Sequence, residues 1–421
     1  MNVHKIIRNE YVYSVITKII SILLGMIQSI LIARFLGAEL KGVTAYISSI
    51  ASIGSIIITF GMHQAYPFIR RKYGKETIYD DYITVVCCLY LFYLIIGVIC
   101  SIVLPLKITI RALFILIPLL GYSKIIDYVT LIEYPNKRNS WWLLITIIDV
   151  LYVAFLWLLV KRNVYWAISI LLFADVIRCI VYSCILRVKI IFHKGLFKML
   201  KELVSFGFFP MIALLMTTLN YRIDVLMLHQ YSYISDAMIG VYSLGLTLSD
   251  KIVLIPDTLK GVLVSKLAKG VPDEEVAKAS RIGFWSSFFL FIVILLFGKW
   301  LIKILYGDEY SGAYSIIVIT AFGLLSVVYF KFIAQYNIIN KKQILNVILL
   351  SISIVIDVIL NLLFIPIWGI NGAALATSIG NAVCGVAFVV YFCRKTGIKV
   401  SKMIIPQKND LELIKGLLHH K

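Results

Sequence analysis

Apolar runs of roughly twenty residues or more recur along the whole chain, and nothing else in it limits the fold as strongly. Bounded by charged or Pro/Gly connectors, they fall at about 11–35, 42–66, 79–104, 112–133, 141–160, 164–187, 203–229, 238–264, 283–305, 313–339, 344–366 and 370–393. In hydrocarbon an unpaired backbone amide or carbonyl is costly, so each run must satisfy its own hydrogen bonds as a helix. Composition agrees. With 61% hydrophobic and 15% charged residues in 421, the chain lacks the polar side chains to cover a water-facing surface. The fold class expected is all-α: a polytopic membrane protein of about 12 transmembrane helices.

The net charge of +19 could suggest a nucleic-acid partner, but the position of the charges excludes one. Lys and Arg gather in short connectors, and no polar domain exists to carry a phosphate-binding patch. Counted from the N-terminus, one side of the membrane receives Lys5, Arg8, the run "RRKYGK" at 70–75, Lys137, Arg138, Arg187, Lys189, Lys194, Lys198 and Lys201. It also receives Lys266, Lys269, Lys278, Arg281, Lys341, Lys342, Arg394, Lys395, Lys399 and Lys402. The other side receives Lys41, Lys107, Arg111, Lys161 and Arg162 with the acidic "YGDEY" at 306–310. This bias places both termini on the cytoplasmic side of the membrane. The seven cysteines lie in or beside apolar runs without CxxC spacing and read as small packing residues. No metal or cofactor is expected. The first run is too long for a signal-peptide core and no AxA-like site follows it, so it reads as a retained span.

The longest polar stretch between spans, 188–202, is basic and has six spans on either side. Two echoes suggest a duplication. "LGAELKGVTAYISSIASI" entering span 2 resembles "SYISDAMIGVYSLGLTLSD" entering span 8, with Gly42 against Gly240. "YPNKRNSWWLLITIIDVL" resembles "IINKKQILNVILLSISIVIDVIL", each running from Asn and two basic residues to Ile-Asp-Val. The organisation expected is an N-terminal six-helix lobe at 1–187, a basic cytoplasmic linker at 188–202, a second lobe at 203–393 and a basic tail at 394–421.

Polar residues are not scattered. Ser14, Lys18, Ser21, Gly25 and Gln28 share one face of span 1, and Ser48, Ser52, Ser55, Thr59 and His63 share one of span 2. In span 8, Ser243, Thr247, Asp250, Asp257 and Gly261 align, flanked by Lys251 and Lys260. Span 7 stacks Asn220 on Asp224 and points Arg222 the other way, about 200° round the helix. Hydroxyls alone would mean helix packing. Charges cost about 2.5–3.5 kcal/mol each at the bilayer centre on insertion scales. Lys124, Asp127, Asp149, Asp175, Arg178, Lys331 and Asp357 join those already named. Some pair locally at i,i+3, as Lys124–Asp127, Asp175–Arg178 and Asp257–Lys260 can, and Lys331 and Lys251 can snorkel to a headgroup. The remainder call for water inside the bundle, in a central cavity between the two lobes, bounded by spans 1, 2, 7 and 8. Lys18, Arg34, Arg222, Lys251 and Lys260 make it cationic, which suits a phosphate or pyrophosphate. His63 is a further candidate there. Asp224, Asp250 and Asp257 leave room for a coupling proton or sodium ion. Pro210 and Pro256 would kink the two helices that border the cavity and serve as hinges; wild-type transport by Pro256→Ala would remove that role.

The segments "LIARFLGAELKGVTAYISSIASI", "LNYRIDVLMLHQYSYISDAMIGVYSLGLTLSDKI", "ILYGDEYSGAYSIIVITAFGLL" and "IPIWGINGAALATSIGNAV" together resemble the bacterial lipid-linked oligosaccharide flippases. These are the O-antigen and capsule repeat-unit translocases of the polysaccharide biosynthesis family, within the multidrug/oligosaccharidyl-lipid/polysaccharide exporter superfamily. The likeness runs from Ile16 to Cys393 and lies in the order and spacing of degenerate motifs. It implies two six-helix lobes working by alternating access and an undecaprenyl-pyrophosphate-linked oligosaccharide as cargo. It also implies a polysaccharide polymerase and a chain-length regulator as partners, and Gly37, Gly42 and Gly240 as turn-supporting glycines. The chain departs from the family where many relatives carry Gly-x-Tyr after the first loop; here Gly42 is followed by Val and Thr.

Two other readings compete. A cation-coupled drug exporter of the same superfamily would want a carboxylate deep in the first helices, where this chain has Lys18 and no acid in span 2. A polysaccharide polymerase or ligase would want a large outer loop with a nucleophile, base or metal set, and the outer loops here are short.

Overall fold

The structure, a computed structural model, describes residues 10–192, 195–267, 272–340 and 342–407, and among them it is helical without strands. In chain order the helices are α1 (Glu10–Thr59), α2 (Met62–Tyr73), α3 (Lys75–Val103), α4 (Ile108–Glu133), α5 (Pro135–Leu159) and α6 (Val164–Ile185). Then come α7 (Leu196–Leu228), α8 (Asp236–Ser249), a 3-10 turn (Asp250–Val253), α9 (Leu254–Leu267), α10 (Glu274–Tyr306), α11 (Ala313–Ile339), α12 (Gln343–Thr396) and α13 (Val400–Ile404). Ten helical stretches among the described residues are long and apolar enough to cross a membrane. Two of them, Ile20–Tyr73 and Gln343–Thr396, are 54 residues long. At 1.5 Å per residue each is long enough for two crossings. Gly37 (φ 69°) and Gly369 (φ 56°) break the helical path inside them, a backbone state open to glycine and closed to most side chains. Ten stretches are thus compatible with the dozen spans expected.

The chain divides into two compact units, Met1–Thr218 and Leu219–Lys421, so the change of unit comes inside α7 rather than in the basic stretch before it. In the first unit, α1 packs on α4 and α5, α3 on α4, and α4 on α6. Its core joins Met62, Tyr66 and Ile69 of α2 to Tyr82 and Val86 of α3, Ile125 and Val129 of α4, Tyr182 of α6 and Leu203 of α7. Gly61 explains why the start of α7 belongs here. A Cβ on Gly61 would collide with the backbone carbonyl of Gly207, and a Cβ on Gly207 with that of Phe60. The two backbones meet with no side chain between them. The expected linker is partly structured as well. Tyr79 donates to the Leu186 carbonyl at 2.7 Å, the Ile191 amide donates to Thr84 Oγ1 at 3.1 Å, and α7 already begins at Leu196.

In the second unit α11 is the central helix, packed by α8, α9, α10 and α12. Its Val328, Phe332 and Ile333 meet Val276 and Ala277 of α10 and Phe388 and Phe392 of α12. Small residues let α11 and α12 approach closely: a Cβ on Gly323 would strike the Ser378 backbone. The described start of the expected tail, up to residue 407, packs back on this unit. Met403 of α13 is buried, Arg281 donates to the Lys402 carbonyl, and Trp285 Nε1 to that of Ile404 at 2.8 Å. Those two donors cap carbonyls that a five-residue helix leaves unpaired.

Candidate functional site

Span 8 does not run as one helix. It changes to a 3-10 turn at Asp250–Val253 before resuming as α9, whose third residue is Pro256. A proline there has no N–H to give the Ile252 carbonyl, so the preceding turn tightens. Halfway along the span, this turn places Asp250 and Lys251 on the tightened segment and Asp257 and Lys260 on the first turns of α9. Arg222 of α7 and Lys331 of α11 complete the group: with Lys251 and Asp257, they lie close enough to Asp250 to act on its charge.

The bonds within the group are specific. Lys331 Nζ donates to both carboxylate oxygens of Asp257, each at 2.8 Å, while Lys260 Nζ stands 3.8 Å from Asp257 Oδ1. The snorkelling expected of Lys331 is therefore corrected. It stands on the most enclosed helix of its unit and is held by an acid there. The Asp257–Lys260 pair forms as the spacing suggested, as the weaker of the two. Arg222, half-buried, makes no hydrogen bond or ion pair among the described residues, and neither do Lys251 and Asp250. Four cations thus surround two carboxylates.

Asp224 goes elsewhere, as its position opposite Arg222 on the helix requires. It is 1% exposed, accepts from Tyr242 Oη and from the Val225 amide at 2.8 Å, and lies 3.4 Å from Thr377 Oγ1. Asn220, one turn earlier, donates to Asn381 Oδ1 at 3.2 Å. Asp357 of α12 is near enough to act on Asp224 electrostatically and accepts from Asn361 Nδ2 at 3.1 Å. Asp357 Oδ2 and Asn361 Oδ1 are buried without a hydrogen-bond partner. Two buried carboxylates that feel each other's charge, with the Tyr242 and Thr377 hydroxyls beside Asp224, are placed to hold a proton between them. No group of three or more His, Cys, Asp or Glu side chains placed to hold a metal occurs among the described residues.

The first unit holds the remaining candidates, and they do not form one site. The Lys18 side chain lies outside the described residues. Arg34 is exposed, three residues before the Gly37 break in α1. His63 is corrected as a member of the span 2 stripe: α1 stops at Thr59, Phe60 and Gly61 have φ of 45° and 64°, and His63 opens the separate helix α2. It is 8% exposed and packs edge-on against Tyr128 at 5.6 Å between ring centres. The hydroxyls of that stripe bond back to their own helix, Ser48 to Ala45 at 3.0 Å and Thr59 to Ile56 at 2.7 Å.

A second polar network in this unit joins the expected Asp175–Arg178 pair to partners that spacing does not convey. Gln28 donates to Asp149, Ser123 to Asp175 at 2.8 Å, and Arg178 to Asp175 at 2.8 Å. The expected Lys124–Asp127 pair gives way to longer-range partners: Lys124 donates to Ser55 at 2.7 Å, and Arg138 holds both oxygens of Asp127 at 2.8 and 2.9 Å. The guanidiniums of Arg138 and Arg178 both lie over the Trp142 ring, 4.3 and 4.5 Å from its centre. Asp149 and Asp357, matched by the Ile-Asp-Val echo, are both buried, each with an amide donor. That echo was the available signal.

Comparison with known proteins follows the same line. A polysaccharide biosynthesis protein family matches residues 31–315. A capsular polysaccharide biosynthesis protein from Staphylococcus aureus, CapF, is 28% identical over 171 residues, 38% of this chain and 43% of that protein; the chain thus matches under half of that relative's length. Among solved structures, the lipid II flippase MurJ in an inward closed conformation aligns with a TM-score of 0.71 at 16% identity, over 97% of this chain and 93% of that one. An inward-facing multidrug resistance MATE transporter of the MOP superfamily aligns with a TM-score of 0.66 at 15% identity, over 90% and 94%. At these identities the structures share the fold. On the family match, which spans most of its length, the chain belongs to the polysaccharide biosynthesis protein family.

Proposed function

We propose that the protein is a flippase carrying undecaprenyl-pyrophosphate-linked oligosaccharide repeat units, of an O-antigen or a capsular polysaccharide, from the cytoplasmic to the outer leaflet by alternating access. The observation that carries this reading is the cluster of Arg222, Lys251, Lys260 and Lys331 around the two acids Asp250 and Asp257, with Asp224 engaged by hydrogen bonds elsewhere. Its surplus of two positive charges matches the two negative charges of a diphosphate diester. Lys18 and Arg34 add positive charge on the first unit. Asp224 with Asp357 takes the coupling proton or sodium ion, Pro210 and Pro256 accommodate the motion, and both termini face the cytoplasm. The polymerase and chain-length regulator that would act on the product are partners in the same sense.

The competing drug-exporter reading meets a physical objection at the same cluster, where a cationic drug would be repelled. Deleting the gene in its native cell and complementing it tests the proposal. Surface polysaccharide should vanish and lipid-linked repeat units should accumulate on the inner leaflet, both restored by the wild-type chain. Normal surface polysaccharide in the deletion strain would overturn it. In the complemented strain, Asp224→Asn should make export insensitive to collapse of the sodium or proton gradient, and export still collapsing with the gradient would remove the coupling role.

A further inference from the structure

One bond in the cationic cluster is arranged the opposite way from an ordinary surface ion pair. Lys331, the cation, is the enclosed member, its side chain 13% exposed, whereas Asp257, the anion, is 40% exposed and so is the nearby Lys260 at 39%. The carboxylate spreads its two oxygens evenly over one ammonium, at 2.8 Å each, as two oxygens of a phosphate would. It stands in the first turn of α9, directly after Pro256 and the 3-10 turn, so it is borne on a break in the span rather than in the middle of a rigid helix. An enclosed ammonium left without an anion is strongly unfavourable, so an empty site needs a resident negative charge.

We infer that Asp257 is that resident charge: a built-in stand-in for the ligand's diphosphate, which occupies Lys331 and Lys260 in the empty protein and yields them when the headgroup arrives. The inference rests on the reading of this cluster as a diphosphate site and adds how the site lets its ligand go. A diphosphate brings more charge and more acceptor oxygens than a carboxylate and can displace it. Asp257 stays tethered next to the lysines, ready to return, and lowers the net affinity for the diphosphate. A carrier that must release its cargo benefits from such a competitor. Asp250, exposed and without a bond of its own among the described residues, remains beside Arg222 and Lys251 in both states.

The test is the sign of two substitutions on one ion pair. Full-length protein in detergent is titrated calorimetrically with geranyl diphosphate, and with inorganic pyrophosphate to tell a lipid headgroup from the free anion. Asp257→Asn should bind geranyl diphosphate roughly tenfold tighter than wild type, while Lys331→Gln should bind it roughly tenfold more weakly. Transport by Asp257→Asn should be slower despite the tighter binding, since release is impaired. If Asp257→Asn proves unstable, Asp257→Ser, which keeps a neutral partner for Lys331, should show the same gain. Both members of a merely structural pair would weaken binding when replaced; wild-type binding with Asp257→Asn unchanged or weaker overturns the inference and leaves the diphosphate reading standing. Binding of neither diphosphate by wild type or by any variant overturns both.

Discussion

Cells carrying Arg222→Glu should lose at least tenfold of their surface polysaccharide while holding a normal amount of the protein in the membrane. Both halves of that result follow from its surroundings. Arg222 makes no hydrogen bond or ion pair among the described residues, so removing it breaks no direct bond, and its effect on buried Asp224 is only through space. Yet it supplies one of the cations around Asp250, and reversal changes the local charge by two. Arg222→Ala should show a smaller loss in the same direction. Quantitative immunoblotting of the protein beside surface glycan staining separates the two effects, and unaltered glycan in Arg222→Ala would remove Arg222 from the binding site.

The other large effect lies at a glycine with no chemistry of its own. Gly61→Ala should destabilise the first unit by ~3 kcal/mol or more, seen as a fall of several degrees in the unfolding temperature of the purified protein and as reduced membrane levels. Two costs add there. The backbone has φ of 64°, where a side chain is strained, and the new methyl would occupy the space of the Gly207 carbonyl, which belongs to a helix backbone and cannot turn aside. Gly25→Ala is the control: it sits in α1 with nothing within 4 Å of the added methyl, and it should be neutral. Equal melting of Gly61→Ala and wild type would show that the α1–α7 contact is not tight.

How much of this was legible beforehand varies with the range of the interaction. Gly37, and the helix ends near Leu104, Leu159 and Tyr306, could be placed because length and hydropathy are local properties and lipid punishes any exception. The opposite faces of Arg222 and Asp224 could be placed because a helix has fixed geometry. Hydropathy carries span 2 past Phe60 and Gly61, since a break stabilised by a distant backbone leaves little mark on it. Lys331 is a snorkelling candidate by sequence for the same reason: eight residues from the end of α11, it looks able to reach a headgroup until its neighbours are known.

The charges followed the same rule. Asp175–Arg178 pairs within one helix and was readable from its spacing. Arg138 reaches Asp127 from the next helix, and Gln28 reaches Asp149 across more than a hundred residues, which spacing cannot convey.

What the amino-acid order determined alone was the solvent, since a chain this apolar must surround itself with lipid, and with it the helical class and the division into spans. Which of the buried charges meet was decided only in three dimensions. A charge in hydrocarbon must find a partner or water, and which helix supplies that partner depends on how the helices pack, information that no local stretch contains.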